Sequence, residues 1–239
     1  MQIEISGIQI EVQKKNIKNL HLSVMPPYGN VRVSAPIHLS DESIAMFIRT
    51  KLSWIKKQKE KFEKQLRQCE REYVSGETLY VFGQQYFLRV EYSYKGNSLV
   101  LEGNEAILTV RKESTAKQRE AFVNEWYRSL LKEKIEQYLP KWEKITGLYC
   151  DLWQTKYMTT RWGTCNTNTR KIWLNLQLAK KPIECLEYVI LHELAHLKVR
   201  NHSKDFVAIM DQYMPYWRET KKLLNDLKLD YYDETVGDL

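Results

Sequence analysis

The chain has 239 residues, 43% apolar and 28% charged, with a net charge of +7, which is enough for a sizeable core in one domain or two closely packed subdomains. The composition is that of an ordinary globular protein, and the absence of any run of about 18 apolar residues excludes a membrane-spanning helix. The four cysteines, Cys69, Cys150, Cys165 and Cys185, form no C-x-x-C pair, which argues against a disulfide scaffold or a cysteine zinc site and for reduced thiols in a cytoplasmic protein.

The opening stretch, MQIEISGIQIEVQKK, alternates apolar and polar residues on either side of Ser6-Gly7. This predicts strands around a turn or bulge and lacks the apolar core of a signal peptide. Pro26-Pro27-Tyr28-Gly29-Asn30 is a turn signal, after which Val31, Val33 and Ala35 resume the period of two. Ser40 with Asp41 and Glu42 predicts a capped helix with an apolar stripe through Ile44, Phe47, Ile48, Leu52 and Ile55. From Lys56 to Arg71 its pattern becomes mostly charged. Residues 1–75 hold 13 Lys/Arg against 8 Asp/Glu, so most of the positive surplus lies there. Such a face can attract nucleotides, nucleic acid or other polyanions, or it can be a solvated lysine-rich helix.

Short strands are predicted over Leu79–Phe82, Tyr86–Tyr92, Ser98–Leu101 and Ala106–Val110, separated by glycine turns. An antiparallel meander is the economical arrangement, and no internal repeat stands out. Residues 116–146 carry the longest helical pattern, with Phe122, Trp126, Leu130, Leu131, Ile135, Tyr138 and Leu139 as its stripe. Pro140 is expected to kink or divide this helix, and Gly147 to end it. Residues 148–158 and Lys171–Asn175 read as a hairpin with a polar Gly163–Arg170 connection. Pro182 suits the first turn of the next helix.

That helix contains His192-Glu193-Leu194-Ala195-His196, an H-E-x-x-H motif. Residues four apart on a helix project from one face about 5–6 Å apart, so the two imidazoles can reach a single Zn²⁺. Glu193, one residue on, lies beside the metal, where a general base for its bound water belongs. His202 is a third candidate ligand, ten residues after the first. To reach the same ion, the chain must leave the helix between Lys198 and Asn201, and Asn201 tolerates the left-handed conformation that does so. The spacing equals that of H-E-x-x-H-x-x-G-x-x-H, but Val199 stands where that pattern has glycine.

Beyond His202, Ser203 and Asp205 predict a capped helix through Phe206, Ile209 and Met210, which Met214-Pro215 breaks. Trp217–Leu227 is the last helical segment, and the acidic DYYDETVGDL reads as a loose tail.

R-W-G-T-C, K-I-W-L-N, Y-V-I-L-H-E-L-A-H-L and N-H-S-x-x-F together resemble the YgjP-like (WLM-type) metallopeptidase domain, a relative of SprT-like zincins. The resemblance runs from the Val31 region to about Leu227, with residues 157–217 the most specific. It implies an α+β chain: a zincin-like metallopeptidase domain with its active-site helix over 113–239, preceded by a smaller β-rich region with one helix over 1–112. It also implies that His192, His196 and His202 are zinc ligands and Glu193 the catalytic base. Two departures are Thr164, where the family usually has serine, and Phe206-Val207, where it commonly has Phe-Trp.

Arg161 can hold a substrate carboxylate or phosphate or stabilise an oxyanion, and can equally pair with Glu187. Trp162 and Cys165 read as packed residues, and Tyr157 as a possible phenolic donor. Asn175 and Asp205 are candidate partners for the ring N–H of a ligating histidine. The expected function is a zinc-dependent metallopeptidase acting on a peptide or protein. One rival is metal-dependent hydrolysis of a nucleoside triphosphate or other phosphate ester, against which stands the lack of a P-loop. A second rival is a nucleic-acid-associated protein with structural zinc.

Overall fold

The computed structural model describes residues 1–25, 29–64 and 71–226. Most of the first turn signal, part of the charged Lys56–Arg71 stretch with Cys69, and the acidic tail with Leu227 lie outside the described residues. Contacts divide the chain into two compact units, residues 1–69 and 70–227. A boundary after 112 would cut through a core, because Leu108 and Val110 pack in one cluster with Val123, Tyr127 and Leu191.

In the first unit, strands β1 (Gln2–Ile5), β2 (Ile8–Lys15), β3 (His21–Met25) and β4 (Asn30–Pro36) form a sheet in the order β1-β2-β4-β3. β1 and β2 are a hairpin whose Ser6 and Gly7 both have positive φ, 53° and 74°, the geometry of a tight primed turn. β2 and β4 run parallel. Helix α1 (Asp41–Lys64) starts at Ser40, whose Oγ accepts the Ser43 N–H at 3.3 Å. It buries Ile44, Ile48 and Ile55 in a cluster with Ile10, Val12, Val31 and Val33.

In the second unit, β5 (Thr78–Val81), β6 (Gln84–Tyr92), β7 (Ser98–Glu102) and β8 (Glu105–Val110) are ordered β5-β6-β8-β7. The expected meander is incorrect, since β6 and β8 are parallel. Both tight hairpins form, but β8, with Ala106, Leu108 and Val110 all buried, takes an inner position, and β7, with only Leu99 buried, is left at the edge. This order and its antiparallel–parallel–antiparallel pairing reproduce the first sheet. The β5–β6 turn also places Phe82 and Gly83 at positive φ, 46° and 87°, as at Ser6-Gly7. Each sheet is followed by a long helix, so a ββββα repeat exists that residue identities conceal.

Helix α2 (Ala116–Thr146) opens with a capping box between Thr115 and Gln118 and closes at Gly147, φ 70°. Its buried stripe is Val123, Tyr127, Leu131, Ile135, Leu139 and Trp142, whereas Phe122, Trp126, Leu130 and Tyr138 lie at its margins. Pro140 does not divide the helix. It is exposed, so the carbonyl it leaves unbonded lies on the solvent side.

The expected hairpin between residues 148–158 and 171–175 is also incorrect. β9 (Leu152–Lys156) runs parallel to β11 (Lys171–Asn175), and β11's hairpin partner is β10 (Gly163–Asn166), giving the order β10-β11-β9. A 3-10 turn (Leu176–Lys180) then leads into α3 (Ile183–His196), α4 (Lys204–Tyr213) and α5 (Trp217–Asp226). The chain is therefore α+β. Among the described residues no helix is long and apolar enough to cross a membrane.

Candidate metal centre

α3 is held by burial of Cys185, Leu186, Val189, Ile190, Leu191, Leu194 and Ala195, which leaves a face carrying Tyr188, His192 and His196 at successive i, i+4 positions. The helix ends without help from Asn201, which has no positive φ. A tight last turn ends it instead, with Leu197 N–H on Leu194 O and the Lys198 and Val199 N–H groups both on Ala195 O, each 3.0 Å. This turns the chain sharply enough for His202 to face the first two histidines.

The imidazoles of His192, His196 and His202 form an even triangle, with all three centroid separations 4.9 Å. One nitrogen from each lies within 4.8 Å of the others. Phe206, buried on α4, sits 4.8 to 4.9 Å from all three rings and gives them an apolar floor. Phe206→Ala is expected to destabilise the metal-free fold by about 3–5 kcal/mol and to weaken metal affinity; denaturant unfolding and metal titration check the pair. Phe206→Leu should recover most of both.

Do these residues suit a cation? The His192 and His202 Nε2 atoms are 3.0 Å apart, close to the about 3.3 Å expected between two nitrogens on one tetrahedral ion with bonds of about 2.0–2.1 Å. Burial, then the charge of His196, hold His202 below its ordinary range, and the same causes with His202 and Lys221 hold His192 down to about 3. A neutral imidazole is the form that binds metal. His196 Nδ1 lies 3.0 Å from the Val199 carbonyl, which fixes Nδ1–H as donor and turns the Nε2 lone pair inward. The donor set fits a metal ion.

That carbonyl fills the orienting role expected of Asn175 or Asp205. Asn175 instead ties the loop before β10 to β11: its Nδ2 donates to the Met158 and Arg161 carbonyls, both at 2.7 Å, and its Oδ1 accepts the Met158 and Gln177 N–H groups. No hydrogen bond joins Asp205 to a histidine among the described residues. Ser203 occupies the N-cap position of α4 without making the cap bond, and its buried Oγ, like His192 Nδ1, has no hydrogen-bond partner among the described residues.

Glu193 is 4% exposed. Burial pushes its carboxyl up to about 8, against a smaller opposite pull from Arg161. The carboxylate fits because residue 163 is glycine: a Cβ there would lie 2.6 Å from Oε1 and 2.8 Å from Cγ. Arg161 is exposed and lines the cavity. It does not pair with Glu187, which is taken by Lys141 Nζ and Trp142 Nε1, each at 3.1 Å.

The cavity over the histidines measures about 510 Å³ and is also lined by Trp162, Cys165, Tyr188, Arg200 and Lys221. Tyr157 packs against the core and does not line it. Burial pushes the Cys165 thiol up to about 11 and the Tyr188 phenol up to about 12, with Glu193 adding to both. The sequence reading missed Tyr188, Arg200, Lys221 and the role of Gly163. Only Tyr188 carried a signal, its position four residues before His192.

A family profile described as YgjP-like, metallopeptidase domain, matches residues 18–227. No curated protein matches the chain. Two similar solved structures are crystal structures of metallopeptidase zymogens. Pyrococcus abyssi abylysin is 20% identical, covering 41% of this chain and 99% of that one, with a TM-score of 0.37. Methanocaldococcus jannaschii jannalysin is 22% identical, covering 38% and 92%, with a TM-score of 0.34.

Proposed function

We propose that this chain, which belongs to the YgjP-like metallopeptidase domain family, is a zinc peptidase in which Glu193 moves the protons. Family membership makes it a hydrolase of metallopeptidase type that uses a metal ion. The ion and proton carrier proposed here rest on one observation: three convergent imidazoles with a buried carboxyl beside them. When bound, zinc supplies Lewis-acid polarisation and lowers the pKa of water. His192, His196 and His202 would hold it. Glu193 takes a proton from the attacking water and returns it to the departing amine, while the wall at Gly163 keeps its carboxylate in place. Arg161, the cation that acts electrostatically on Glu193, would hold a substrate carboxylate or steady developing negative charge.

A zincin-like mode of peptide binding is supported by β10. Among the described residues this strand pairs on one side only, with β11, and its Gly163, Thr164 and Cys165 line the cavity. A free strand edge offers backbone donors and acceptors to an extended peptide.

A specific observation also favours a phosphate-ester substrate. Arg161, Arg200 and Lys221 all line the cavity, and Glu193 is the single acidic residue lining it among the described residues. Incubating the zinc-loaded protein with casein peptides and, separately, with nucleoside triphosphates decides between them. Peptide cleavage is expected; phosphate or pyrophosphate release without peptide cleavage would replace this reading with the second.

A further inference from the structure

Tyr188 is a buried polar residue for which the roles above have no use. It lies one helical turn before His192 on the same face of α3, and its ring centroid is 5.7 Å from that of His192. Only 5% of the residue is exposed, yet it lines the cavity. Its hydroxyl makes no hydrogen bond among the described residues. Nor is the hydroxyl among the fully enclosed polar atoms without a partner, so the oxygen meets cavity solvent. Nearly buried donors are normally satisfied within the protein, and one left open at a reaction site is available to a ligand.

The ring is also rigidly placed. It stacks on Trp217 with planes 2° apart and centroids separated by 6.4 Å. Trp217 is itself fixed, its Nε1–H donating to Asp211 at 2.7 Å with the Arg218 guanidinium 4.6 Å from its ring centre. Stabilising charge that develops during reaction requires donors already in position, because reorganising them costs what the bond would return. Arg161 and Lys221 are exposed side chains on flexible stems. Tyr188 is a neutral donor at this cavity that the fold holds in place.

We infer that Tyr188 is a catalytic residue whose phenolic O–H donates to the oxygen of the scissile carbonyl as negative charge builds there. The inference rests on the peptidase reading, with Glu193 handling protons and Tyr188 keeping its own.

Tyr188→Phe tests it, since the ring keeps its stack on Trp217 and its contact with His192. The zinc-loaded variant should retain its metal and melting temperature, with kcat for a casein peptide falling about 100-fold at nearly constant KM. Acetohydroxamate, which places an anionic oxygen at the metal, gives a readout independent of turnover. Its affinity by calorimetry should fall about tenfold. Unchanged hydroxamate affinity, or unchanged kcat, overturns the role. If wild type cleaves no peptide but the hydroxamate difference holds, the peptidase reading fails and the donor at the metal stands.

Discussion

Glu193→Gln is expected to lower peptide turnover by about 10²–10⁴-fold while the protein keeps its metal. The replacement preserves shape against Gly163 and leaves the histidine triangle untouched, so the loss falls on proton transfer alone. A second consequence appears in the metal-free protein. The Glu193 carboxyl sits at about 8 in the folded chain against an ordinary 4.5. A carboxyl raised on folding favours the fold most when protonated, so its contribution is fully present below 4.5 and is lost as pH rises towards 8. By pH 7 that loss is on the order of 3 kcal/mol, because the folded chain must take up a proton that the unfolded chain has released. Metal-free Glu193→Gln should therefore melt above metal-free wild type at pH 7 to 8, and the two should converge near pH 4.5. His192, held down to about 3, destabilises both proteins equally as pH falls below its unfolded value, so it cancels from the comparison. Retained turnover, or identical melting at pH 8, would show that Glu193 is neither the proton carrier nor a buried acid.

Gly163→Ala is expected to reduce activity nearly as severely without touching a reacting group. Gly163 does not occupy the left-handed region, so alanine meets no backbone strain and its effect is purely steric. The added methyl would lie 2.6, 2.8 and 2.9 Å from Oε1, Cγ and Cδ of Glu193, closer than carbon atoms tolerate. Either the carboxylate swings aside or β10 moves away from α3. An ångström of misplacement costs about 10²-fold in rate, and overpacking of this kind costs about 1–3 kcal/mol in stability. Metal content should not change. Adding Glu193→Asp, which withdraws one methylene, should restore stability but not turnover, and melting of the double variant checks this. A Gly163→Ala protein with wild-type kcat would mean that the contact does not position Glu193.

What could be read from the sequence follows the range of the interactions. His192 and His196 meet because of helical period, and His202 because only a short turn separates it from them. These are local matters, and the residue spacing expresses them. The apolar stripe of α2 was legible to within one residue, since a period of 3.6 leaves neighbouring stripes nearly equivalent. The strand partners of β9 and β8 were not legible, because hairpin signals specify adjacent pairings and are silent about parallel insertion. The slot at Gly163, the stacking of Tyr188 on Trp217, and the placing of Lys221 beside the histidines all join segments far apart in sequence. No periodicity encodes them. The ββββα repeat was hidden for a related reason: pairing order persists where residue identities do not.

Zinc content of the purified protein, measured beside that of His202→Ala, tests the metal centre most directly. His202 is exposed, so its loss should leave the fold intact. After reconstitution, one equivalent of zinc per wild-type chain and a substoichiometric, easily dialysed amount in the variant is the predicted result. No stoichiometric zinc in wild type, or undiminished binding without His202, would contradict it.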